Sequence, residues 1–599
     1  MKTLLARGDV APNTADNYGR TPLLCAAQNG YEDVVKTLLA RGDVAPSTAD
    51  NYGQTPLLQA ARSGHGNVVK MLLEREDVTP NTTDNCGQTP LLWAAQNGHD
   101  EVVEILLSRG DVALNTTDKR GQTPLLWAAG NKCEGIVKML LEREHVARDT
   151  ADQDGRTPLS WAARFGNDEV VKMFLQREDV TPDTVDKGGR TPLSWAAGNG
   201  GEYMKMLFER GDVTPDIADQ DGRIPPSRAA EFGNDEVVKM FLQREDVTPD
   251  TADKGGRTPL SWAAGNGYEG VVNILLGRGD VTPNTADNRG QTPLLWAAGN
   301  GCKGVVKILL GREDVTSNVT DEDGRTPLSW ASGGGREDIV KMLLEQKDVT
   351  PDTADKGGRT PLSWAAGNLW GYGVVEILLG REDVTPDSAD KDGRTPLSWA
   401  VANRYNGIVR RLLEREDVTP NTADKDGLTP LSWAAQYGYE DVVTILSGRE
   451  DVTTDTPDRH GRTPLSWAAG FGHNKVVKIL LRREDVAPDS ADKGGRTPLS
   501  WAAANGYEDV AKVFLGRGDV APNTADKLGL TPLLWAVGNG HKGIVEILLE
   551  RGDVAPDPID KGGRTPPLLL AEHGHLSGLG VLVEPCILDQ DIMMADFTG

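Results

Sequence analysis

The sequence predicts an all-α solenoid in which one helix-turn-helix-loop unit is repeated along the chain. A Thr-Pro dipeptide returns about every 34 residues, seventeen times when Ile224-Pro225 is counted as a damaged copy. An Asp-x-x-Gly turn precedes each dipeptide, and apolar residues with helical spacing follow it. Such a period indicates units that contact only their neighbours, and we expect them to form a curved superhelical array.

Residues 492–525 show how one unit arises from its sequence. Thr497 suits a helix N-cap, and Pro498 suits the first helical position, where a missing N–H costs nothing. Gly506 can end this first helix in the left-handed conformation, and apolar residues at helical spacing predict a second helix after it. In the loop, an aspartate and a glycine three residues apart predict a turn that the carboxylate braces.

The pattern Asp-x-x-Gly-x-Thr-Pro-Leu-x-x-Ala-Ala-x-x-Gly-His/Tyr-x-x-Val-Val-x-x-Leu-Leu resembles the ankyrin repeat over residues 2 to about 570. Two features depart from that family: the loop is one residue longer, and Ser or Leu replaces the usual His after Thr-Pro-Leu. The resemblance implies a non-enzymatic scaffold that binds a protein partner on a concave face.

A narrower resemblance concerns the near-identical Arg-Thr-Pro-Leu-Ser-Trp-Ala-Ala segments. They are similar to those of ankyrin arrays attached to NACHT-type receptors, NTPases of the STAND class, in filamentous fungi. This resemblance implies the sensor half of an intracellular NTPase receptor. A free-standing adaptor that tethers several partners is the alternative.

The irregular repeats divide the chain. Residues 151–190 and 218–257 look like two copies of one block, and in the second copy Ile224-Pro225-Pro226-Ser227-Arg228 has lost the N-cap threonine and a core leucine. The repeat before it is one residue short, so we expect a hinge near residues 198–232. The predicted parts are a partial repeat (1–20), a first block (21–223), the degenerate repeat (224–257), a second block (258–570) and a divergent C-terminal cap or tail (571–599).

Two other irregularities carry expectations. Residues 2–19 repeat residues 36–53 with one change, so the chain begins inside a second helix, and we expect a truncated array. An insertion at Leu369 to Gly373 adds Trp370, and we expect it to bulge one turn between helices.

Tryptophan stands at one repeat position in thirteen units. Trp501 lies about 200° around the helix from Leu499, opposite the core side. The rings are therefore candidate binding residues on the concave face, or they pack between repeats, and the sequence leaves both readings open. These candidates are Trp93, Trp127, Trp161, Trp195, Trp262, Trp296, Trp330, Trp364, Trp399, Trp433, Trp467, Trp501 and Trp535.

The residues that vary between repeats are the other candidate binding positions. They fall at the turn tips and at the two residues after Ala-Ala, such as Gln436-Tyr437 and Gly470-Phe471. In ankyrin repeats these places form the binding surface, although exposed positions also drift freely. The candidate tip residues are Tyr18, Tyr52, Arg120, Arg289, His460 and Leu528.

Recurrent charged motifs have plainer interpretations. Arg-Gly-Asp occurs seven times, but Arg-Glu-Asp replaces it in eight other repeats, so we interpret its glycine as a helix-ending residue rather than as part of an adhesion motif. Five histidines stand at the Gly-His turn, and we interpret them as structural. They are His65, His99, His473, His541 and His575.

Other functional classes find no support in the sequence. No Gly-Lys pair, His-Glu-x-x-His or Gly-x-Ser-x-Gly motif is present, so we predict no catalytic residue, cofactor, metal or small-molecule substrate. The net charge of −25 argues against nucleic acid. No apolar run approaches a membrane span. Five scattered cysteines favour a reducing compartment, and we expect the cytoplasm, with the nucleus as the alternative.

Overall fold

The computed structural model describes residues 11–566, 568 and 569. Within them the regular structure consists of helices, 32 of which have assigned bounds, in repeated helix-turn-helix units. The predicted all-α repeat fold is therefore confirmed. Contacts divide the described residues into two compact units, one up to residue 297 together with 302–316, and the other of residues 298–301 together with those from 317 onwards.

Each repeat opens with a first helix, and in all of them except the degenerate repeat its start is set by the Thr-Pro dipeptide. The threonine hydroxyl accepts a hydrogen bond from the backbone N–H three residues on, as Thr497 does from Ser500, and proline occupies the first turn. The first helices are α1 (Pro22–Gln28), α3 (Pro56–Ser63), α5 (Pro90–Asn97), α7 (Pro124–Gly130), α9 (Pro158–Phe165), α11 (Pro192–Asn199), α13 (Pro225–Phe232), α15 (Pro259–Asn266), α17 (Pro293–Asn300), α19 (Pro327–Gly333), α21 (Pro361–Ala366), α23 (Pro396–Ala402), α25 (Pro430–Tyr437), α27 (Pro464–Gly470), α29 (Pro498–Asn505) and α31 (Pro532–Gly538).

A second helix follows each first helix after a short turn. Several of those turns contain a glycine in the left-handed region, such as Gly506 with φ +81°. The second helices are α2 (Glu32–Leu39), α4 (Gly66–Leu73), α6 (Asp100–Leu107), α8 (Glu134–Leu141), α10 (Asp168–Leu175), α12 (Tyr203–Glu209), α14 (Asp235–Leu242), α16 (Glu269–Leu276), α18 (Lys303–Leu310), α20 (Glu337–Leu344), α22 (Tyr372–Leu379), α24 (Asn406–Leu413), α26 (Glu440–Ser447), α28 (Asn474–Leu480), α30 (Glu508–Leu515) and α32 (Lys542–Leu549).

The core lies between the two helices of a repeat and continues into the next repeat. The first helix contributes a leucine and two alanines, such as Leu499, Ala502 and Ala503, all completely buried. The second helix contributes residues such as Val510 and Phe514, which are at most 1% exposed. Because alanine has little bulk, neighbouring first helices can pack closely, and the repeats stack.

The degenerate repeat still folds as a helix pair. Its first helix, α13, has the same eight-residue length as α9, but Ile224 makes no side-chain cap. Residues 198–232 lie inside the first compact unit, and the hinge there stays a prediction. Residues 1–10 of the predicted partial repeat and the predicted tail at 571–599 lie outside the described residues.

The insertion forms the bulge that the sequence predicts. Helix α21 ends after six residues, and five residues connect it to α22. Within this connection Leu369 is 64% exposed and Trp370 is 74% exposed. The extra residue is therefore accommodated between the two helices of the repeat, without removing either helix.

Candidate protein-binding surface

The Asp-x-x-Gly turns form a fixed framework along the edge of the repeats. Asp355 uses one carboxylate oxygen, Oδ1, to accept hydrogen bonds from the N–H groups of Gly357, at 2.8 Å, and Arg359, at 2.9 Å. Gly358 adopts a φ of +83°, which only glycine accepts without strain. The next turn joins on, because Lys391 N–H donates to the Gly357 carbonyl at 2.8 Å.

The second oxygen of the same aspartate holds the tryptophan. Trp364 Nε1 donates to Asp355 Oδ2 at 2.9 Å. All thirteen candidate tryptophans make this bond to the aspartate nine residues earlier, at 2.9–3.3 Å. The rings are half-buried, except for Trp467, which is only 8% exposed. The indole N–H is thus occupied within the protein at every one of these positions.

An arginine covers many of these rings. The guanidinium of Arg359 lies 3.7 Å from the ring centre of Trp364, in its own repeat, and 4.0 Å from that of Trp399, in the next. Burial between the two indoles lowers the pKa of Arg359 to about 10, against the opposing charges of Asp355 and Asp390. Arginines that bridge two tryptophans in this way are Arg257, Arg325, Arg359, Arg394 and Arg496.

The structure therefore gives the tryptophan row a packing role, and whether the row also contacts a partner stays a prediction. The sequence analysis did not single out these arginines. The sequence does contain a pattern that could have identified them: an arginine follows the turn glycine directly and precedes the tryptophan by five residues, on the same side of the repeat.

The six candidate tip residues have a different environment. All six side chains are exposed, including Tyr52 at 63% and Leu528 at 61%. Their backbone is fixed, because each N–H donates to the Oδ1 atom of the turn aspartate two residues earlier, as in Tyr52 to Asp50 at 2.8 Å. The tips thus combine a held backbone with an exposed side chain, although Arg20 lies over the ring of Tyr18, 5.1 Å from its centre.

Aromatic residues after the Ala-Ala pair extend the tryptophan row in two adjacent repeats. Tyr437 stacks on Trp433 at a ring separation of 5.8 Å and on Tyr439 at 5.5 Å. Phe471 stacks in the same way on Trp467, and on His473 at 6.3 Å. Two of the variable positions therefore pack on neighbouring rings, and at these positions variation does not mean a free side chain.

The Arg-x-Asp motif is a link between repeats. Arg415 donates to the carboxylate of Asp417 through two nitrogens, at 2.8 and 2.6 Å, and through the third to the Leu379 carbonyl of the preceding repeat, at 2.7 Å. The interpretation of the glycine in Arg-Gly-Asp as a helix end is wrong. Helix α2 ends at Leu39, and Gly42 lies beyond it without a positive φ, so the arginine and the aspartate carry the motif.

Histidines at the Gly-His turn join neighbouring repeats, in line with a structural role. His473 Nε2 lies 2.9 Å from the Gln436 carbonyl of the preceding repeat. His65, His99 and His541 make the equivalent contact, and His575 lies outside the described residues. Their rings pack against the left-handed turn glycine of the preceding repeat, where a Cβ atom would clash.

Comparison with known families agrees with this architecture. The family described as "Ankyrin repeats (3 copies)" matches nine overlapping segments, which are residues 1–84, 76–149, 144–221, 211–285, 227–319, 305–386, 371–456, 449–523 and 516–596. The chain belongs to the ankyrin-repeat family. Ankyrin repeats are in general protein–protein interaction modules. No curated protein matches the chain.

Two searches for other kinds of site gave negative results. Among the residues that the structure describes, no group of three or more histidine, cysteine, aspartate or glutamate side chains is arranged to hold a metal ion. Within the same part of the chain, no helix has the length and apolar character needed to cross a bilayer.

Proposed function

We propose that this ankyrin array is a scaffold that binds a protein partner along its concave face, chiefly through the turn tips. The observation that supports this proposal is the exposure of large side chains such as Tyr52 and Leu528 on backbone that is held in place. An exposed aromatic on a rigid turn loses little conformational entropy on binding, and such residues are frequent hot spots. The half-buried tryptophans would then stiffen the face and contribute ring edges.

Site-specific photo-crosslinking from two matched positions tests the proposal. A crosslinking residue at Tyr52 or Leu528 should capture one and the same partner. Lys70 and Lys542, which are exposed on the second helices of the same two repeats, provide the controls. Equal capture of that partner from the control positions would contradict the assignment of the binding face.

The role of the tryptophans can be separated from that of the tips. Trp330→Phe keeps an aromatic ring but removes the bond from Nε1 to Asp321 Oδ2, which is 2.9 Å long. We expect lower stability of the repeat with partner capture retained. Loss of capture with unchanged stability would instead make Trp330 a direct contact.

We further propose that the array is the sensor half of an intracellular NTPase receptor, with a free-standing adaptor as the alternative. The support is the similarity of its Arg-Thr-Pro-Leu-Ser-Trp-Ala-Ala segments to arrays of fungal NACHT-type receptors. The reading frame upstream of Met1 decides between the two. An in-frame phosphate-loop domain would favour the receptor, and a stop codon directly upstream would favour the adaptor.

The proposed compartment is the cytoplasm, with the nucleus as the alternative, and fluorescence microscopy of the tagged chain distinguishes them. We propose no enzymatic activity, cofactor or small-molecule substrate, and no nucleic-acid or membrane partner. The net charge of −25 supports the exclusion of nucleic acid, because phosphate binding needs a basic surface. A salt-sensitive gel shift with DNA or RNA would contradict it.

A further inference from the structure

One position in the loop between repeats holds asparagine in seven repeats, aspartate in nine and serine, Ser47, in one, and asparagine and aspartate make different contacts. Asn421 joins its loop to the next one twice: its Oδ1 accepts from Thr453 N–H at 2.9 Å, and its Nδ2 donates to the Asp451 carbonyl at 2.7 Å. Six asparagines make both bonds, with Nδ2 to carbonyl distances of 2.6–2.7 Å. They are Asn13, Asn81, Asn115, Asn284, Asn421 and Asn523.

Six aspartates at this position make only the first of the two bonds: Asp149, Asp183, Asp250, Asp352, Asp387 and Asp489. Asp387 Oδ2 accepts from Thr419 N–H at 3.1 Å, as the asparagine oxygen does in its repeat. The other oxygen, Oδ1, is buried and has no hydrogen-bond partner. Seven aspartates share this buried, unpartnered oxygen: Asp149, Asp183, Asp250, Asp352, Asp387, Asp455 and Asp489.

The missing bond follows from the chemistry of the two side chains. The amide nitrogen of asparagine carries protons and can donate to the carbonyl of the next loop, whereas an ionised carboxylate can only accept. Since Oδ2 of Asp387 takes the role of the asparagine oxygen, Oδ1 corresponds to that nitrogen, and as an ionised oxygen it cannot donate to the carbonyl of the next loop. A protonated aspartate has the same shape as asparagine and carries an O–H donor at this place.

We propose that three of these aspartates, Asp387, Asp455 and Asp489, are proton-operated links between neighbouring repeats. Each makes its second hydrogen bond to the next loop when the carboxyl is protonated, and lacks that bond when the carboxyl is ionised. The array is then held together more tightly in mild acid than at neutral pH.

At Asp387, burial and the charge of a neighbouring aspartate favour protonation. Burial raises the pKa of Asp387, and so does the nearby charge of Asp417, while the N–H of Thr419 and the hydroxyl of Thr422 oppose the rise. The Thr422 hydroxyl lies 3.3 Å from the Thr419 carbonyl, and Oδ1 of Asp387 has no hydrogen-bond partner.

The pKa is raised in the same way at two further links. Burial raises the pKa of Asp489, with Asp519 adding to the rise and Arg551 and the N–H of Ala521 opposing it. Burial also raises the pKa of Asp455, with Asp485 adding to the rise and the Ser490 hydroxyl and Ala487 N–H opposing it.

The pH window follows from the sign of these shifts. A folded-state pKa above the ordinary aspartate value means that the link contributes fully below that ordinary value and is lost as pH rises through the raised one. The Arg-x-Asp links behave in the opposite way. Their arginines lower the pKa of the aspartates, that of Asp485 to about 2, so they remain ionised and paired while the proton-operated links form.

Hydrogen exchange on the full chain, measured by mass spectrometry of loop fragments, tests the proposal. The measured quantity is the protection factor of the Thr419 amide, whose N–H donates to Asp387 Oδ2. It is corrected for the pH dependence of intrinsic exchange. Between pH 7 and pH 4.5 we expect this protection to rise about threefold to tenfold, the effect of one added hydrogen bond. The Thr453 amide, which is held by Asn421, is a control in the same molecule and should not rise.

Two matched variants complete the experiment. Asp387→Asn should raise the protection of Thr419 at pH 7 and abolish its rise in acid. Asn421→Asp should lower the protection of Thr453 at pH 7 and give it the rise. The proposal is overturned if Asp387→Asn leaves the rise in place, or if the Thr419 and Thr453 amides respond equally to acid in the wild-type chain.

Discussion

Helices α9 and α13 open two repeats of closely similar sequence, and they reach the same length with different residues at the cap. In α9, Thr157 caps the helix and also lies 3.1 Å from the Ser160 hydroxyl. In α13, Ile224 provides no cap, and the buried Ser227 hydroxyl has no hydrogen-bond partner. The substitution at the cap therefore removes two polar interactions, although the helix persists.

At the tryptophan position, by contrast, the hydrogen bond to the turn aspartate is kept in both repeats. Trp161 donates to Asp152 at 3.0 Å, and in the copy Arg228 donates to the corresponding Asp219 at 3.1 Å. Arg228 also lies 3.6 Å from Glu231. The bond that holds the first helix to its turn therefore survives a complete change of side chain. The turn aspartate is therefore present in both repeats, whereas the side chain that donates to it differs.

The largest expected effect comes from removing the aspartate itself. Asp152→Ala leaves two turn N–H groups and the Trp161 indole without their acceptor, and we expect the free energy of local opening to fall by about 3–5 kcal/mol. Asp219→Ala should cost a similar amount, because it removes the 3.1 Å ion pair with Arg228, whereas Asp152→Ala removes the 3.0 Å ion pair with Arg156. Hydrogen exchange in α9 and α13 measures both, and a loss below about 1 kcal/mol in either would contradict the common role.

A smaller effect is expected from restoring the cap. Ile224→Thr should stabilise α13 by about 1–2 kcal/mol, because the new hydroxyl would accept from the Ser227 N–H and pair with its side chain. Thr157→Ile in α9 should cost a similar amount and provides the matched control. Limited proteolysis measures the outcome: if residues 198–232 are the hinge, Ile224→Thr should slow cleavage there, and cleavage elsewhere first would speak against that hinge.

The smallest effect is expected at the replaced tryptophan. Arg228→Trp should change the stability of α13 by less than about 1 kcal/mol, because the indole can donate to Asp219 and stack on Arg223 while the ion pair with Glu231 is lost. Thermal unfolding and exchange protection of α13 check this. A loss above about 2 kcal/mol would show that the indole requires the geometry of the regular repeat.

The sequence predicts the fold well because each repeat carries its own local signals. The N-cap of Thr497, the proline after it and the glycine at Gly506 act within one unit, and repetition supports each assignment. The candidate site was less predictable. The orientation of Trp364 depends on Asp355, nine residues away, and on an arginine in the preceding repeat, and helical periodicity does not describe such contacts. The unpartnered oxygen of Asp387 is equally hidden, since it depends on a carbonyl in the next loop.

The bond between the turn aspartate and the tryptophan also fixes the number of residues from the turn to the first helix. The tryptophan is the ninth residue after the aspartate in all thirteen regular cases, because one carboxylate must reach both the turn and the indole. The one-residue deletion near Gly200 and the insertion at Leu369 to Gly373 both fall outside this interval, between the two helices of a repeat. During duplication of such an array, the connection between helices is where length can change, whereas the segment from turn to tryptophan is inherited at constant length.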